Sequence, residues 1–448
     1  MEVIGSVSRN AEEKIRNGAL LPLQKFLTAS LVEAWCRECK HTWRVRLLSP
    51  FVTVLACIYK QLELCGARQV EDWIASLDGV PSATESREGD SFCAARKRLN
   101  LEILRGLVEH IGALTTRIAG RFFHGLPVLL IDATTMRMPR TKENIQAFGL
   151  TKNQFRSSTL PVARLLLLVC DGCGAVLKYL VHGYHTSELA QLRELLLSIQ
   201  AGSLVLVDRG FSGYVVLWSL DASGIYFLAR QHQTRKGKRV RKLGKNDALY
   251  EWERPPYVCA AWQDVLPGCD AKMVTRVLRT KLHRRGHRDR DLILCTNLLD
   301  PEKYSAQELL DLYLERWNIE LDIRTLKLQH GLERLTAQSP DTVQKEIASA
   351  LLAFNCVRQM MAEAEPAFRK LSHKRACHII LELTAEMAHA PTLVLPVLYQ
   401  HLLRLIRTAC LRRRKRRSQP RAVIHRKRDW PVLRVSRETW RRTGRVAS

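Results

Sequence analysis

Two aspartates directly follow short apolar runs, a placement that suits metal-dependent phosphoryl transfer. Asp132 comes after the run 126–131, and Asp208 comes after the run 203–207. Each run predicts a buried strand, so each aspartate is expected where its strand ends. A carboxylate at that position is held rigidly at the rim of a sheet, where ligands of open α/β sheets bind. Both aspartates are therefore candidate metal ligands.

A third acid is expected on a helix that spans residues 311–327. Four residues of this segment are separated by three, four and seven positions: Tyr313, Arg316, Glu320 and Lys327. At about 100° per residue, these spacings place all four side chains on one helix face. The cations on that face could bind phosphates, and the carboxylate could bind a metal ion. A solvent-exposed face of ion pairs would show the same spacing. Taken singly, each of the three acids is more often structural, as a helix cap or as part of an ion pair.

The combination resembles the DDE transposases of the insertion sequence four class. The signature of that family is Tyr, two residues, Arg, three residues, Glu, six residues, Lys, and the four residues above match it without a gap. The residues that follow the two aspartates, Ala-Thr-Thr and Arg-Gly-Phe, are also similar to the family. Asn355 and Arg358 are also similar to the family, so the resemblance to these transposases covers residues 127–358.

The resemblance implies an enzyme that cleaves DNA at the ends of an insertion sequence and joins those ends to a target, through a hairpin intermediate. The three acids would be the catalytic residues and would hold two Mg²⁺ ions about 4 Å apart, with Mn²⁺ as a substitute. The Tyr, Arg and Lys of the signature would contact phosphates. The expected partners are terminal inverted repeats and target DNA, with a homodimer in the DNA complex.

Size and charge agree with a DNA-binding enzyme. The chain has 448 residues, of which 46% are hydrophobic, so it has material for two or three folded domains. Its formal net charge of +27 implies a polyanionic partner, and DNA suits because Lys and Arg neutralise its phosphates. A ribosomal or membrane-surface protein would share the charge but would not need the three acids. Additional DNA contacts are predicted at Arg209, Arg235, Arg412, Arg413 and Arg414.

Five segments are predicted along the chain. Residues 1–120 carry apolar residues at helical spacing and are expected to form a helical N-terminal domain that binds DNA ends. Residues 121–230 and 301–405 are expected to form the two parts of an α/β fold with an RNase H-like mixed sheet core. Residues 231–300 would be a β-rich insertion, and residues 406–448 a basic tail that becomes ordered on DNA.

The insertion is expected because many more residues separate Asp208 from Glu320 than separate the two aspartates. Within it, residues 235–242 predict a basic loop that faces water or phosphate. The resemblance implies that an aromatic side chain of the insertion holds a flipped base, for which Trp252 and Trp262 are the candidates. Packing in the core is the commoner role of a large aromatic residue.

Thirteen cysteines scattered along the chain predict reduced thiols rather than a disulfide framework. Cys36 and Cys39 form one CxxC pair, but no second pair follows at the spacing of a zinc finger or ribbon. Cys170 and Cys173 enclose Asp-Gly, which is a hairpin-turn signal. Both pairs are therefore interpreted as structural.

Neither a membrane span nor a secretory signal is predicted, so the protein is expected in the bacterial cytosol or nucleoid. Two alternatives to a transposase stay open at this stage. A nuclease with the same metal core would cut DNA without joining it, and only strand-transfer products distinguish the two. A non-catalytic DNA-binding protein derived from a transposase would keep the charge, but the presence of all three acids argues against it.

Overall fold

We describe the fold from a computed structural model of the chain, which describes residues 20–44, 47–76, 90–152, 157–232, 235–282, 290–411, 436 and 438. The described parts of 20–280 and 292–411 belong to one structural unit. Nearly all of the predicted basic tail lies outside the described residues. The predicted DNA contacts at Arg412, Arg413 and Arg414 lie there too.

The described N-terminal residues are helical, as their periodicity predicts. The helices are α1 (Leu21–Gln24), α2 (Ala29–Glu38), α3 (Pro50–Glu63), α4 (Ala67–Ser76), α5 (Asp90–Arg98) and α6 (Leu101–Ala119). Two of their boundaries follow from capping: the Ser49 side chain accepts from Val52 N at the start of α3, and the Asn100 side chain accepts from Glu102 N at the start of α6. Helix α3 ends at Leu64, which adopts the left-handed conformation.

The first half of the sheet contains a mixture of antiparallel and parallel strands. The elements are β1 (Phe122–Phe123), β2 (Leu126–Arg137), α7 (Lys142–Phe148), β3 (Leu150–Lys152), β4 (Ser157–Cys170), β5 (Val176–Gly183), α8 (Glu188–Leu196), β6 (Leu204–Val207), α9 (Tyr214–Ala222) and β7 (Tyr226–Arg230). Strand β4 pairs antiparallel with both β5 and β2, whereas β2, β6 and β7 run parallel to one another. Three antiparallel strands followed by parallel ones confirm the predicted RNase H-like core.

The insertion continues this sheet. Its strands are β8 (Lys238–Gly244), β9 (Asp247–Glu253), β10 (Lys272–Leu282) and β11 (Arg290–Thr296). Because β11 pairs with β7, the order across the sheet is β3-β4-β2-β6-β7-β11-β10-β9-β8, with β1 on β2 and β5 on β4. A buried ion pair fixes the insertion to the chain that precedes Glu320. Arg276 binds Asp247 through two hydrogen bonds of 2.9 and 2.6 Å and also donates to the Tyr304 carbonyl at 2.6 Å.

The prediction of a loop over residues 235–242 is wrong from Lys238 onwards. Those residues form strand β8, which pairs with β9, and the side chains of 238–242 are all exposed. The pairing satisfies the backbone while every cation faces water, so the charge run gave no indication of the strand.

The C-terminal half is helical. Its helices are α10 (Ala306–Glu315), α11 (Trp317–Gln329), α12 (Pro340–Ala364), α13 (His373–Ala388) and α14 (Leu395–Thr408). Helix α12 is buried along nearly its whole length and packs against α6 and α3. Asn355 of α12 fixes this arrangement, because its side chain bonds the carbonyls of Val108 and Val176 at 2.8 Å each. No described helix combines the length and the apolarity needed to cross a membrane.

The expected single helix over 311–327 is interrupted. Helices α10 and α11 meet at Arg316, whose amide donates to the Tyr313 carbonyl while its own carbonyl accepts from Ile319 N. Both hydrogen bonds span three residues, so the chain tightens by part of a turn at this point. The signature residues therefore belong to two helices and their junction, and the prediction of a single uninterrupted helix is wrong, although Arg316 still contacts Glu320 one turn along.

Candidate active site

The sheet register brings the two aspartates together. Strand β2 pairs in parallel with β6, and the last paired residues are Leu130 and Leu206. Two residues further along each chain lie Asp132 and Asp208, so both reach the same edge of the sheet. Asp208 follows the end of β6, as predicted. Asp132 does not end its strand: β2 continues to Arg137, and Asp132 is still paired with Leu167 of β4.

The Asp132 carboxyl is largely buried and lies close to the other two acids. Burial raises its pKa from 3.8 to about 6, while a hydrogen bond from Ala133 N and the charge of Arg316 act to lower it. The charges of Glu320 and Asp208 raise the pKa further. The structure thus brings together the three predicted acids, here called the acidic site, although they come from β2, the end of β6 and α11.

Arg316 lies between two members of the acidic site. Its Nη2 atom is 3.2 Å from Glu320 Oε1 and 4.0 Å from Asp208 Oδ1. Burial alone would lower the pKa of Arg316, but Tyr313 and the three carboxylates raise it overall. The guanidinium therefore stays charged and partly balances three like charges.

Tyr313 is buried beneath the acidic site. Its hydroxyl donates to the carbonyl of Val207 at 3.3 Å, which ties α10 to the last residue of β6 and hence to Asp208. Burial raises the pKa of the phenol. In this geometry Tyr313 positions the neighbouring aspartate, and its predicted contact with a phosphate stays a prediction.

The other predicted DNA contacts have different surroundings. Arg209 is exposed directly after Asp208, and Lys327 is half-exposed two turns beyond Glu320. The Arg235 guanidinium instead lies 4.6 Å from the centre of the Trp252 ring, and burial lowers its pKa. For these three residues, DNA binding remains a prediction.

Both tryptophans of the insertion are buried. Trp252 is 1% exposed and Trp262 is 3% exposed. The Trp262 indole donates to the Leu189 carbonyl at 2.9 Å. Packing in the core, which is the commoner role of such residues, is thus what the structure shows for both.

Sequence reasoning missed the group that holds α11 in place. Asp322 lies on the buried side of α11 and binds Arg358 of α12 and Arg369, whose Nη1 is 2.9 Å from both carboxylate oxygens. Arg369 also donates to the Gly172 carbonyl at 2.7 Å, in the turn between β4 and β5. In that turn Gly174 has φ +67°, and a Cβ there would collide with Asp322 Oδ2. The sequence did contain one signal for this group: an aspartate on the side of the signature helix that faces the core, where a charge needs a buried partner.

Replacing Asp322 should strongly destabilise the fold. In Asp322→Ala, two largely buried guanidinium groups lose their carboxylate, and breaking such a buried pair costs about 3–5 kcal/mol. Glu320→Ala, two residues away on the solvent side, should cost far less. Urea denaturation of both variants measures the difference, and equal losses of unfolding free energy would show that Asp322 does not anchor α11.

One of the two cysteine pairs lies where its sequence predicts. Cys170 and Cys173 flank the β4–β5 turn, as predicted, and every cysteine is a free thiol. Within the described part of the chain, neither CxxC pair belongs to a group of three or more potential metal ligands. One such group is present elsewhere, formed by His330, His373 and Cys377.

An RNase H-like sheet that carries three carboxylates and an arginine at one rim defines a phosphoryl-transfer enzyme of the DDE class. Residues 123–356 match the protein family described as "Transposase DDE domain". The chain therefore belongs to the DDE transposases, in the insertion sequence four class that the signature residues predict.

The chain is similar to a characterised relative and to a solved structure. The chain is 27% identical over 350 residues to the transposase InsG for insertion sequence element IS4 of Escherichia coli (strain K12), covering 75% of this chain and 77% of that one. Among solved structures, the piggyBac transposase synaptic complex with hairpin DNA is similar with a TM-score of 0.40 and 11% identity, covering 87% of this chain and 85% of that one. The family assignment rests on the sequence matches.

Transposases of this family generally use divalent metal ions, and the acidic site fits such an ion. Its three carboxylates supply the hard oxygen ligands that Mg²⁺ and Mn²⁺ prefer. Asp208 Oδ1 is buried, and no hydrogen-bond partner is present for it among the described residues. The Arg316 Nη2 atom, 4.0 Å away, is beyond hydrogen-bond distance, so this buried oxygen is available to bind a metal ion.

Proposed function

We propose that Asp132, Asp208 and Glu320 catalyse the cleavage of DNA at the ends of an insertion sequence and the joining of those ends to target DNA. The observation that carries the proposal is their convergence from three separate elements around Arg316. Three acids that repel one another gather at a surface rim at a cost in stability, and metal binding explains why that cost is tolerated.

The carboxylates would hold two Mg²⁺ ions, which would activate a water molecule or the 3′-hydroxyl of a DNA strand and stabilise the leaving oxygen. Asp132 and Asp208 are fixed by the sheet, and Glu320 is fixed by α11. Arg316, which contacts two of the acids, would turn its remaining donors to a phosphate of the bound strand. Arg209, next to Asp208 in the chain, and Lys327, on the same helix as Glu320, would be further phosphate ligands.

We also infer the finer points of the reaction from the family. The 3′-hydroxyl freed by the first cut would attack the opposite strand and leave a hairpin, which is then opened before insertion. A homodimer would hold the two ends of the element together in the DNA complex. The reaction would take place in the bacterial cytosol or nucleoid, where its DNA substrate lies.

The test uses the full-length protein and a duplex that carries the inverted repeats flanking its own reading frame. With Mg²⁺ or Mn²⁺, excised ends should appear, and a hairpin should run as a cross-linked species on a denaturing gel. EDTA should abolish all products. Strand-transfer products on a plasmid target distinguish the transposase from a nuclease, which would release ends and never join them.

The basic tail, nearly all of which lies outside the described residues, gives a further prediction. Removing residues 412–448, which contain Arg412, Arg413 and Arg414, should weaken binding to specific and random duplexes alike. The slope of log affinity against log salt should fall by about 0.9 for each phosphate that the tail no longer neutralises. Discrimination of the transposon end should persist, because we assign it to the N-terminal helices and the insertion. Loss of that discrimination would contradict this division of roles.

A further inference from the structure

Three potential metal ligands meet in the interior, away from the acidic site. His330 follows the last residue of α11, whereas His373 and Cys377 lie one turn apart on the same face of α13. Their ligand atoms all lie within 4.8 Å of one another. His330 is 0% exposed, His373 is 6% exposed and Cys377 is 8% exposed. We call these three residues the buried ligand cluster.

The hydrogen bonding of the two histidines is incomplete. His330 Nε2 and His373 Nε2 are 2.8 Å apart, so one ring donates and the other accepts. Each neutral imidazole has one donor and one acceptor nitrogen. The single bond leaves both Nδ1 atoms buried without a hydrogen-bond partner among the described residues. Ligation through the Nε2 atoms would leave the Nδ1 atoms as they are, so the case for a ligand rests on the convergence of three potential ligand atoms in the core.

The surroundings of the cluster combine an aromatic ring with a buried arginine that is paired with an aspartate. Phe354 stacks on the His373 ring at 5.0 Å and meets the His330 ring edge-on at 5.8 Å. Arg358 also lies over the Phe354 ring, 4.8 Å from the ring centre, and Asp322 balances the charge of Arg358. An ion bound here would be shielded from water by aromatic rings and would have a thiolate as its own counter-charge.

We propose that His330, His373 and Cys377 bind one Zn²⁺ ion, in a site separate from the acidic site. Two imidazole nitrogens and one sulfur are borderline-soft donors, which select Zn²⁺ and reject Mg²⁺. On binding, the Cys377 thiol loses its proton to solvent, the hydrogen bond between the two rings is broken, and each Nε2 lone pair binds the ion. The imidazole protons then reside on the two Nδ1 atoms.

The two imidazole nitrogens need only a small adjustment to bind one ion. For tetrahedral zinc with Zn–N bonds of about 2.0–2.1 Å, two ligand nitrogens stand roughly 3.3 Å apart. The observed separation of 2.8 Å is shorter by about half an ångström. Because the three ligands come from the end of α11 and the start of α13, the ion would join these helices and fix the C-terminal end of the helix that carries Glu320.

The experiment measures metal content in full-length protein expressed in zinc-supplemented medium and purified without a polyhistidine tag or chelator. About one zinc per chain is expected by mass spectrometry. Cys377→Ser and His373→Gln should each lose it. Cys356→Ser is the matched control, because Cys356 is a fully buried thiol of α12 that does not belong to the cluster, and it should retain zinc. Zinc that survives in both cluster variants would overturn the proposal.

A spectroscopic measurement on the wild-type protein tests the proposal even if a cluster variant fails to fold. Co²⁺ exchanged into the wild-type protein should show visible bands of tetrahedral cobalt and a thiolate-to-metal charge-transfer band in the near ultraviolet. The charge-transfer band should vanish in Cys377→Ser and persist in Cys356→Ser. The proposal is wrong if the wild-type protein contains no zinc and gives no thiolate band with Co²⁺. The two histidines then form only a hydrogen-bonded pair.

Discussion

Glu320→Gln will abolish DNA cleavage while leaving DNA binding and the fold nearly unchanged. The amide keeps the shape of the side chain and removes the negative charge that a metal ion needs. Loss of a metal ligand removes several kcal/mol of transition-state stabilisation, so the cleavage rate should fall by about 1,000-fold or more. Asp132→Asn and Asp208→Asn should have the same effect. The measurement is the rate of end cleavage on a pre-bound inverted-repeat duplex.

The control for these variants is Glu333→Gln, which removes an exposed acid close to the end of α11. It should cleave at the wild-type rate. End binding, measured by gel shift without metal, should change by less than about threefold in every variant, because removing negative charge does not weaken an attraction to phosphate. Near wild-type cleavage by any one of the three acid variants would exclude that residue as a metal ligand.

Asp132→Asn should also stabilise the metal-free protein at neutral pH. The pKa of Asp132 is about 6 in the fold and 3.8 in the unfolded chain, so the folded state holds this proton more tightly. The free energy of unfolding is therefore highest below pH 4 and falls as pH rises from about 4 to 6. The shift corresponds to about 3 kcal/mol lost by pH 7. An asparagine does not ionise and avoids this loss.

Urea denaturation in EDTA at pH 5 and pH 7 measures this effect. The variant should exceed the wild type by up to about 3 kcal/mol at pH 7 and by less at pH 5. Glu333→Gln again serves as the control. A difference between variant and wild type that stays the same at both pH values would show that Asp132 does not titrate in this window. The inactive variant would thus be the more stable protein, because it lacks the buried charge that metal binding requires of Asp132.

The acids themselves were predictable because their signals are local. An apolar run followed by Asp specifies a strand that ends at a polar rim, and it located Asp208 correctly. At Asp132 the same pattern failed to mark the strand end, since pairing with β4 carries β2 on to Arg137. A strand boundary depends on the length of its neighbours, and the sequence of one strand does not contain that information.

The interactions that hold the site were not predictable from spacing. Asp322, Arg358 and Arg369 are distant in sequence and meet only because α11, α12 and the β4–β5 turn pack together. The same holds for His330 and the residues of α13 that face it. The tightening at Arg316 was hidden as well, because a three-residue hydrogen bond within a helix has no clear sequence marker.

The insertion and the RNase H-like core share one hydrogen-bonded sheet. The distance between the three acids and the outer strand of the insertion is therefore fixed by the sheet. Six strand-to-strand steps separate β2, which carries Asp132, from the basic edge strand β8. At about 4.8 Å per step, that distance is roughly 29 Å. DNA rises about 3.4 Å per base pair, so the span corresponds to roughly eight base pairs. A phosphate bound at β8 would therefore lie about that far from the cleavage site that we propose at the three acids.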